Sequence, residues 1–242
     1  MHGKTYQENK HVELESLADA VMAYAEERVR VAPPLDRPMS EPELRARVGE
    51  TITAGGLGGV AAMRLFAQDL APTCLSTDHP RYLSFIPCAP SDAAVMFDLV
   101  VGASSIYAGS WLEGSGAVYA ENQALRWIAD LVGMPSGAGG GFTPGGTIGN
   151  LSALVTARHA ARRGAPQGVR PYRVAATEGA HSSIASACDV MDAEFVGVPA
   201  DDRWRLTGEN LRAVLEEHGP ESFFAVVAPC GTTNFGVIDD LA

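Results

Sequence analysis

Gly139-Gly140-Gly141-Phe142-Thr143-Pro144-Gly145-Gly146-Thr147-Ile148-Gly149-Asn150 runs without a break into the segment from Leu151 to Arg163. Glycines remove the Cβ that keeps a backbone away from a ligand, and the first amides of a helix have no partner inside it. Such a turn can hold a phosphate. The spacing predicts a helix behind it, with Ile148, Leu151, Leu154 and Val155 on one face. Arg158, Arg162 and Arg163 crowd its last turn, where positive charge suits the dipole. Thr147 stands where a hydroxyl meets the first free amides. Taken by itself, the segment also reads as a flexible glycine loop before an ordinary helix.

Two familiar phosphate loops fail against the letters. A Walker-type loop needs Gly-Lys-Ser/Thr, and the chain's lysines are Lys4 and Lys10. The dinucleotide fingerprint would set Gly137 and Gly139 before a third glycine, where Phe142 stands.

Working outward, Tyr172-Arg173-Val174-Ala175-Ala176 reads as a short strand. The turn Thr177-Glu178-Gly179-Ala180 follows it, and then His181 at the mouth of a helix capped by serine. Phe223 to Ala228 is a continuous apolar run of buried-strand type, leading into Pro229-Cys230-Gly231-Thr232-Thr233-Asn234-Phe235-Gly236. In an open parallel sheet, ligands gather at the carboxyl ends of strands, so the three segments are expected to converge on one site.

The order of these motifs resembles the pyridoxal-phosphate-dependent group II amino-acid decarboxylases. The matching letters are His79-Pro80-Arg81-Tyr82-Leu83-Ser84-Phe85-Ile86-Pro87, Thr143 to Asn150, Ala180-His181-Ser182-Ser183, and Gly231-Thr232-Thr233 with Gly236 and Asp239. The resemblance covers roughly residues 40 to 242. It implies an α/β fold of the type I pyridoxal-phosphate transferase kind, a mostly parallel sheet with helices on both faces, incomplete here and preceded by an N-terminal helical arm. The expected division is an arm over 1–70 and a cofactor-binding domain over 71–242.

The resemblance also implies roles. Gly146 and Thr147 would offer amides and a hydroxyl to the phosphate of pyridoxal 5'-phosphate, His181 would lie against one face of its ring, Thr233 would approach the ring edge, and Asp239 would support the site. Pro87 and Cys88 match an entrance segment that touches substrate; many relatives carry a hydroxyl residue where Cys88 stands. In Trp111 to Glu121, Ser115 and Val118-Tyr119 depart from the family pattern and Glu121 keeps it. Family members anchor the cofactor on a lysine and pair the pyridine nitrogen with an aspartate, both beyond the motif that ends at Asp239-Asp240. Lys4 and Lys10 have no matching context. The chain is therefore expected to be the N-terminal half of a longer protein, with Asp239 and Asp240 in the first turn of a helix. By itself it is expected to be inactive.

The implied activity is decarboxylation of an L-amino acid, with Phe85 and Pro87 slightly favouring an aromatic one. The alternatives are another reaction of the same cofactor, such as an aminotransferase or lyase, and a catalytically silent fragment or partner subunit. A homodimer is implied for the complete protein, which suits an apolar arm from His11 to Arg30 with Leu14, Leu17, Ala18, Val21, Met22 and Ala25 along one face. An ordinary core-packing helix fits that pattern equally. Pro33 to Pro38 breaks the chain after it, a second helix is predicted from Glu41 to about Ile52, and Gly55 to Gly59 opens another.

At 242 residues and 46% apolar composition the chain can bury a sizeable core. Its net charge of −11, with acids scattered among arginines, argues against nucleic acid as a partner. Cys74, Cys88, Cys188 and Cys230 form no ligand spacing and are expected to be reduced thiols in a cytoplasmic protein. No metal site is expected; His11, His159 and His218 read as solvent-facing. The most apolar region, Ala93 to Ala108, is broken by polar residues, so no membrane segment is expected.

Overall fold

The computed structural model describes residues 6–85 and 88–240. It divides into two compact units, Met1–Ser105 and Ile106–Ala242.

The first unit is helical. Helices α1 (Tyr6–Arg30), α2 (Glu41–Val48) and α3 (Gly59–Leu65) are followed by a wider π turn over Phe66–Leu70 and by α4 (Asp92–Ser104). Along α1, Leu17, Val21, Met22 and Ala25 are half-buried, whereas Leu14 and Ala18 of the expected face stand exposed. Tyr24 meets Phe66 edge to face at 5.8 Å, and Arg28 reaches Asp78 at 2.6 Å. Helix α2 stops at Val48 instead of running to Ile52, because Gly49 turns the chain at φ +66. Its start is closed by Ser40 and Glu43, which satisfy each other's end of the helix as a capping box. No described side chain of this unit is fully buried. Helix α4 has Phe97, Leu99, Val100 and Val101 all half-exposed or more.

The second unit holds the core. Helix α5 (Trp111–Leu131) bends at Gly114, where a Cβ would lie 2.6 Å from the Tyr107 carbonyl oxygen. Helix α6 (Gly146–Gly164) then leads to β1 (Arg173–Ala176), α7 (Ser183–Val190), β2 (Glu194–Gly197), α8 (Gly208–His218) and β3 (Phe223–Val226). The strands form one sheet in the order β2-β1-β3, with β1 parallel to both neighbours. Val174 packs on one face with Leu154, Ile184, Cys188 and Phe224; Ala175 packs on the other with Val196, Leu206 and Val214. This alternation places α6 and α7 on one side and α8 on the other. Passing from β1 to β2 and back past β1 to β3 reverses direction, and the connecting helix changes face with it, as a constant right-handed crossover requires. An α/β fold with a parallel sheet covered on both faces is therefore present.

Arg173 staples the amino ends of all this together. Its guanidinium donates to Glu194 at 2.8 Å, to the His218 carbonyl at 3.0 Å and to Ser222 Oγ at 3.0 Å, and it lies 4.6 Å over the Tyr172 ring. His218 is half-buried against Phe223, not solvent-facing as its helical position suggested. Ile238 bridges antiparallel to Cys230, and Asp239 and Asp240 are the last described residues.

Candidate functional site

Two of the three segments, the loops after β1 and β3, leave the carboxyl ends of strands, where ligands collect in parallel sheets; the glycine turn instead runs from α5 into α6 with no strand before it. The first is the loop after β1. Thr177 is buried at 1% exposure, and its Oγ1 makes no hydrogen bond. His181 follows, its ring exposed to a cavity of about 550 Å³ that Thr177, Phe195, Thr233, Asn234 and Phe235 help to line. The expected serine cap on α7 is replaced. Ser182 makes no side-chain cap, and the Ser183 amide instead donates to His181 Nδ1 at 3.1 Å.

The second segment is the glycine turn. Gly145 has φ +96, a conformation that glycine adopts at little cost and an L side chain only with strain, and α6 begins at the next residue. A Cβ on Gly145 or Gly146 would meet nothing within 4 Å, so the approach to the first amides of α6 is open. Thr147 provides no cap within the helix; its hydroxyl makes no hydrogen bond among the described residues. Arg126 of α5 fixes the entry to this turn by donating to the carbonyls of Pro135, Ser136 and Ala138 at 3.3, 3.0 and 3.2 Å. Nothing local in sequence announces that clamp. At the far end of α6, Arg158 donates to the Met191 carbonyl, so it belongs to the packing of α7 as well as to a helix terminus.

The third segment follows β3. Thr232 is buried; its Oγ1 accepts from the Val237 amide at 3.1 Å, and its own amide donates to the Val237 carbonyl at 2.9 Å. That closed loop carries Thr233 at its tip, facing the same cavity as His181. Asp239 lies at 6% exposure, and its Oδ1 accepts from the Leu206 amide at 2.7 Å. It ties the loop to the far side of the sheet and does not line the cavity.

The structure thus brings His181 and Thr233 to one cavity. Gly146 and Thr147 do not line it; they connect to it through α6, whose Asn150 donates to Ser183 Oγ at 2.8 Å. Cys88 is exposed in the first unit, and Pro87 lies outside the described residues. Asn150 and Thr177 carried no role in the sequence reading, and Ser183 entered it as part of a serine cap. The polar signal that could have found them is a buried hydroxyl or amide on an otherwise apolar inward face.

A neighbouring cavity of about 770 Å³ shares Glu178, Gly179 and Phe235 with the first. Its wall is the stacked pair Trp204 and Phe235, 6.0 Å apart, beside Asp201. Hydrogen bonds from the Arg205 backbone and guanidinium hold the Asp201 carboxyl below the usual carboxylate range, so that acid is committed to its loop. The smaller cavity is the one that His181 and Thr233 line. Among the described residues no group of three or more His, Cys, Asp or Glu could hold a metal ion, and no helix is long and apolar enough to cross a membrane.

An α/β sheet with a polar cavity at its strand ends, next to a helix that opens on glycines, defines a class of phosphate-cofactor proteins. The chain belongs to the family described as the pyridoxal-dependent decarboxylase conserved domain, which it matches over residues 63–242. It is similar to an aromatic-L-amino-acid decarboxylase of Bacillus atrophaeus, 25% identical over 213 residues, covering 86% of this chain and 44% of that protein. It is also similar to an L-2,4-diaminobutyrate decarboxylase of Rhizobium meliloti, 28% identical over 191 residues and covering 77% of this chain and 38% of that one. The crystal structure of mouse CSAD in its apo form shares the fold at TM-score 0.81 and 20% identity, over 95% of this chain and 51% of that chain. The chain spans less than half the length of the two curated relatives.

Proposed function

We propose that this chain carries the phosphate-holding and ring-stacking part of a pyridoxal-phosphate-dependent carboxy-lyase acting on an L-amino acid. The observation that carries this reading is His181, held by Ser183 at the edge of a cavity that Thr233 also lines. A planar cofactor with a phosphate fits such residues. The open glycine approach to α6 leaves room and free amides for an anion.

In this reading Gly146 and Thr147 would hold the phosphate with backbone amides and the Thr147 hydroxyl. The bound cofactor would supply an electron-accepting pyridinium, the sink that loss of carbon dioxide from a carboxylate needs. His181 would lie against the ring face and orient the substrate carboxylate. Thr233 would approach the ring edge, and Asp239 would support the site at one remove by fixing the loop that carries Thr233. Pro87 and Cys88 are assigned to substrate contact on the motif alone. We further assign a helical arm to 1–70 and the cofactor-binding domain to 71–242, a homodimeric complete protein, and a cytoplasmic location. The exposed apolar side chains of α4 support the dimer.

The test is product analysis on the protein isolated from its natural source, supplied with pyridoxal phosphate and a panel of aromatic, acidic and diamino L-amino acids. Carbon dioxide and the matching amine are expected, and His181→Ala should abolish them while leaving the helical circular dichroism intact. Keto acid without carbon dioxide would replace the carboxy-lyase with an aminotransferase. Cofactor binding with no product would leave a silent binding chain.

A further inference from the structure

The Ser183 amide can only donate, so the 3.1 Å bond that it makes to His181 Nδ1 requires a lone pair on that nitrogen. A neutral imidazole that accepts at Nδ1 carries its proton on Nε2. Ser183 Oγ lies 2.9 Å from the same Nδ1, and it also receives the Asn150 amide at 2.8 Å. A serine oxygen already accepting from Asn150 is set to turn its own hydrogen toward the imidazole. At 3% exposure Ser183 has little water to compete for that hydrogen. Nε2 makes no hydrogen bond among the described residues, and the ring borders the cavity.

We propose that Asn150 and Ser183 are positioning residues that hold His181 in the Nε2–H tautomer, so that the ring presents a hydrogen-bond donor to the cavity. That Nε2–H meets a substrate carboxylate rests on the function proposed above; the tautomer itself does not. Asn150 lies on α6, the helix that begins at Gly146, so one side chain links the glycine turn to the imidazole. Asn150→Asp offers Ser183 an acceptor in place of a donor. The hydroxyl hydrogen then turns to the carboxylate, and its lone pairs face Nδ1. That change favours the Nδ1–H tautomer, whereas Asn150→Ala leaves the hydroxyl undirected.

The experiment is long-range proton–nitrogen correlation NMR on the 242-residue chain labelled with ¹⁵N-histidine and free of cofactor, with His181→Gln identifying the resonances. The expected wild-type result is a pyridine-like Nδ1 and a pyrrole-like Nε2. Asn150→Asp and Ser183→Ala should shift the ring measurably toward the Nδ1–H tautomer, against the backbone amide of residue 183 that still favours Nε2–H, and Ser183→Thr, which keeps the hydroxyl, should keep the wild-type signature. A wild-type ring protonated at Nδ1 overturns the proposal whatever the variants do. So does an unchanged signature in Asn150→Asp with native circular dichroism. Because no cofactor is present, failure of the decarboxylase reading would leave the tautomer result standing.

Discussion

Asp239→Ala separates a structural acid from a cofactor contact. The Asp239 carboxylate accepts from the Leu206 amide at 2.7 Å, and Leu206 is 2% exposed, so truncation leaves a buried N–H without its acceptor. Losing a bond to a charged acceptor costs about 1.5–3 kcal/mol. Against this, the other carboxylate oxygen is buried with no partner, and removing it returns part of its desolvation cost. The net expectation is a loss of about 1–3 kcal/mol, roughly a 5- to 150-fold shift toward the unfolded state. Asp239→Asn keeps an acceptor for Leu206 and should lose about half as much. Urea unfolding of the 242-residue chain, read by tryptophan fluorescence beside far-ultraviolet circular dichroism, measures both. Trp204 stacks on Phe235 in the same loop cluster and should report early loosening there. A destabilisation below about 0.5 kcal/mol with an unchanged m-value would refute the argument, because the Leu206 amide would then have another acceptor. If Asp239→Ala instead weakened pyridoxal-phosphate binding at unchanged stability, the residue would touch the cofactor itself.

Other expectations follow from single contacts. Leu154 on α6 is 4% exposed within the α6–α7 cluster, so Leu154→Ala should cost about 2–5 kcal/mol in the same assay. Burial, with help from Asp189, pushes the Cys188 thiol up, whereas Cys74, Cys88 and Cys230 are exposed. A disulfide exchange reagent at neutral pH should therefore modify those three quickly and Cys188 only after denaturation. The hydrogen bond from Arg28 holds the Asp78 carboxyl below its ordinary range. A depressed carboxylate contributes its full stabilisation above the unfolded value near 3.9 and loses it as pH falls through the lower folded value. The attachment of α1 to the Asp78 turn should thus be constant from neutral pH to about pH 4 and weaken below it, and Asp78→Asn should remove that acid step. Circular dichroism followed against pH checks both arms.

The parts legible in the sequence were those set by short-range pattern. The strand around Val174, the apolar run from Phe223 and the helix behind the glycine turn each carry their own periodicity and punctuation. The residues that organise the candidate site are held by partners far along the chain. Asn150 meets Ser183 and Asp239 meets Leu206 at separations of 33 residues, which no local spacing encodes. At the start of α7 two serines advertised a cap, yet the imidazole two residues before Ser183 took it, because ring nitrogen and amide were already in reach. Asp239 is held by the Leu206 amide beside the bridge from Ile238 to Cys230, a tie that its charge alone did not suggest.

Strand β1 is bonded on both edges and covered on both faces, and Val174, Ala175 and Ala176 show no exposure at all. Neither layer can be peeled away without uncovering it, so its amides should exchange with solvent only when the whole second unit opens. His181 hangs from the end of that strand by a short turn. The imidazole is thereby moored to the slowest-breathing segment of the unit, while Thr233 rides on a hairpin-like loop closed by a few bonds to Val237. Across the cavity, one wall is timed by global unfolding and the other by local fraying. A ligand that bridges the two would register as slowed exchange in the 232–237 loop, with β1 unchanged.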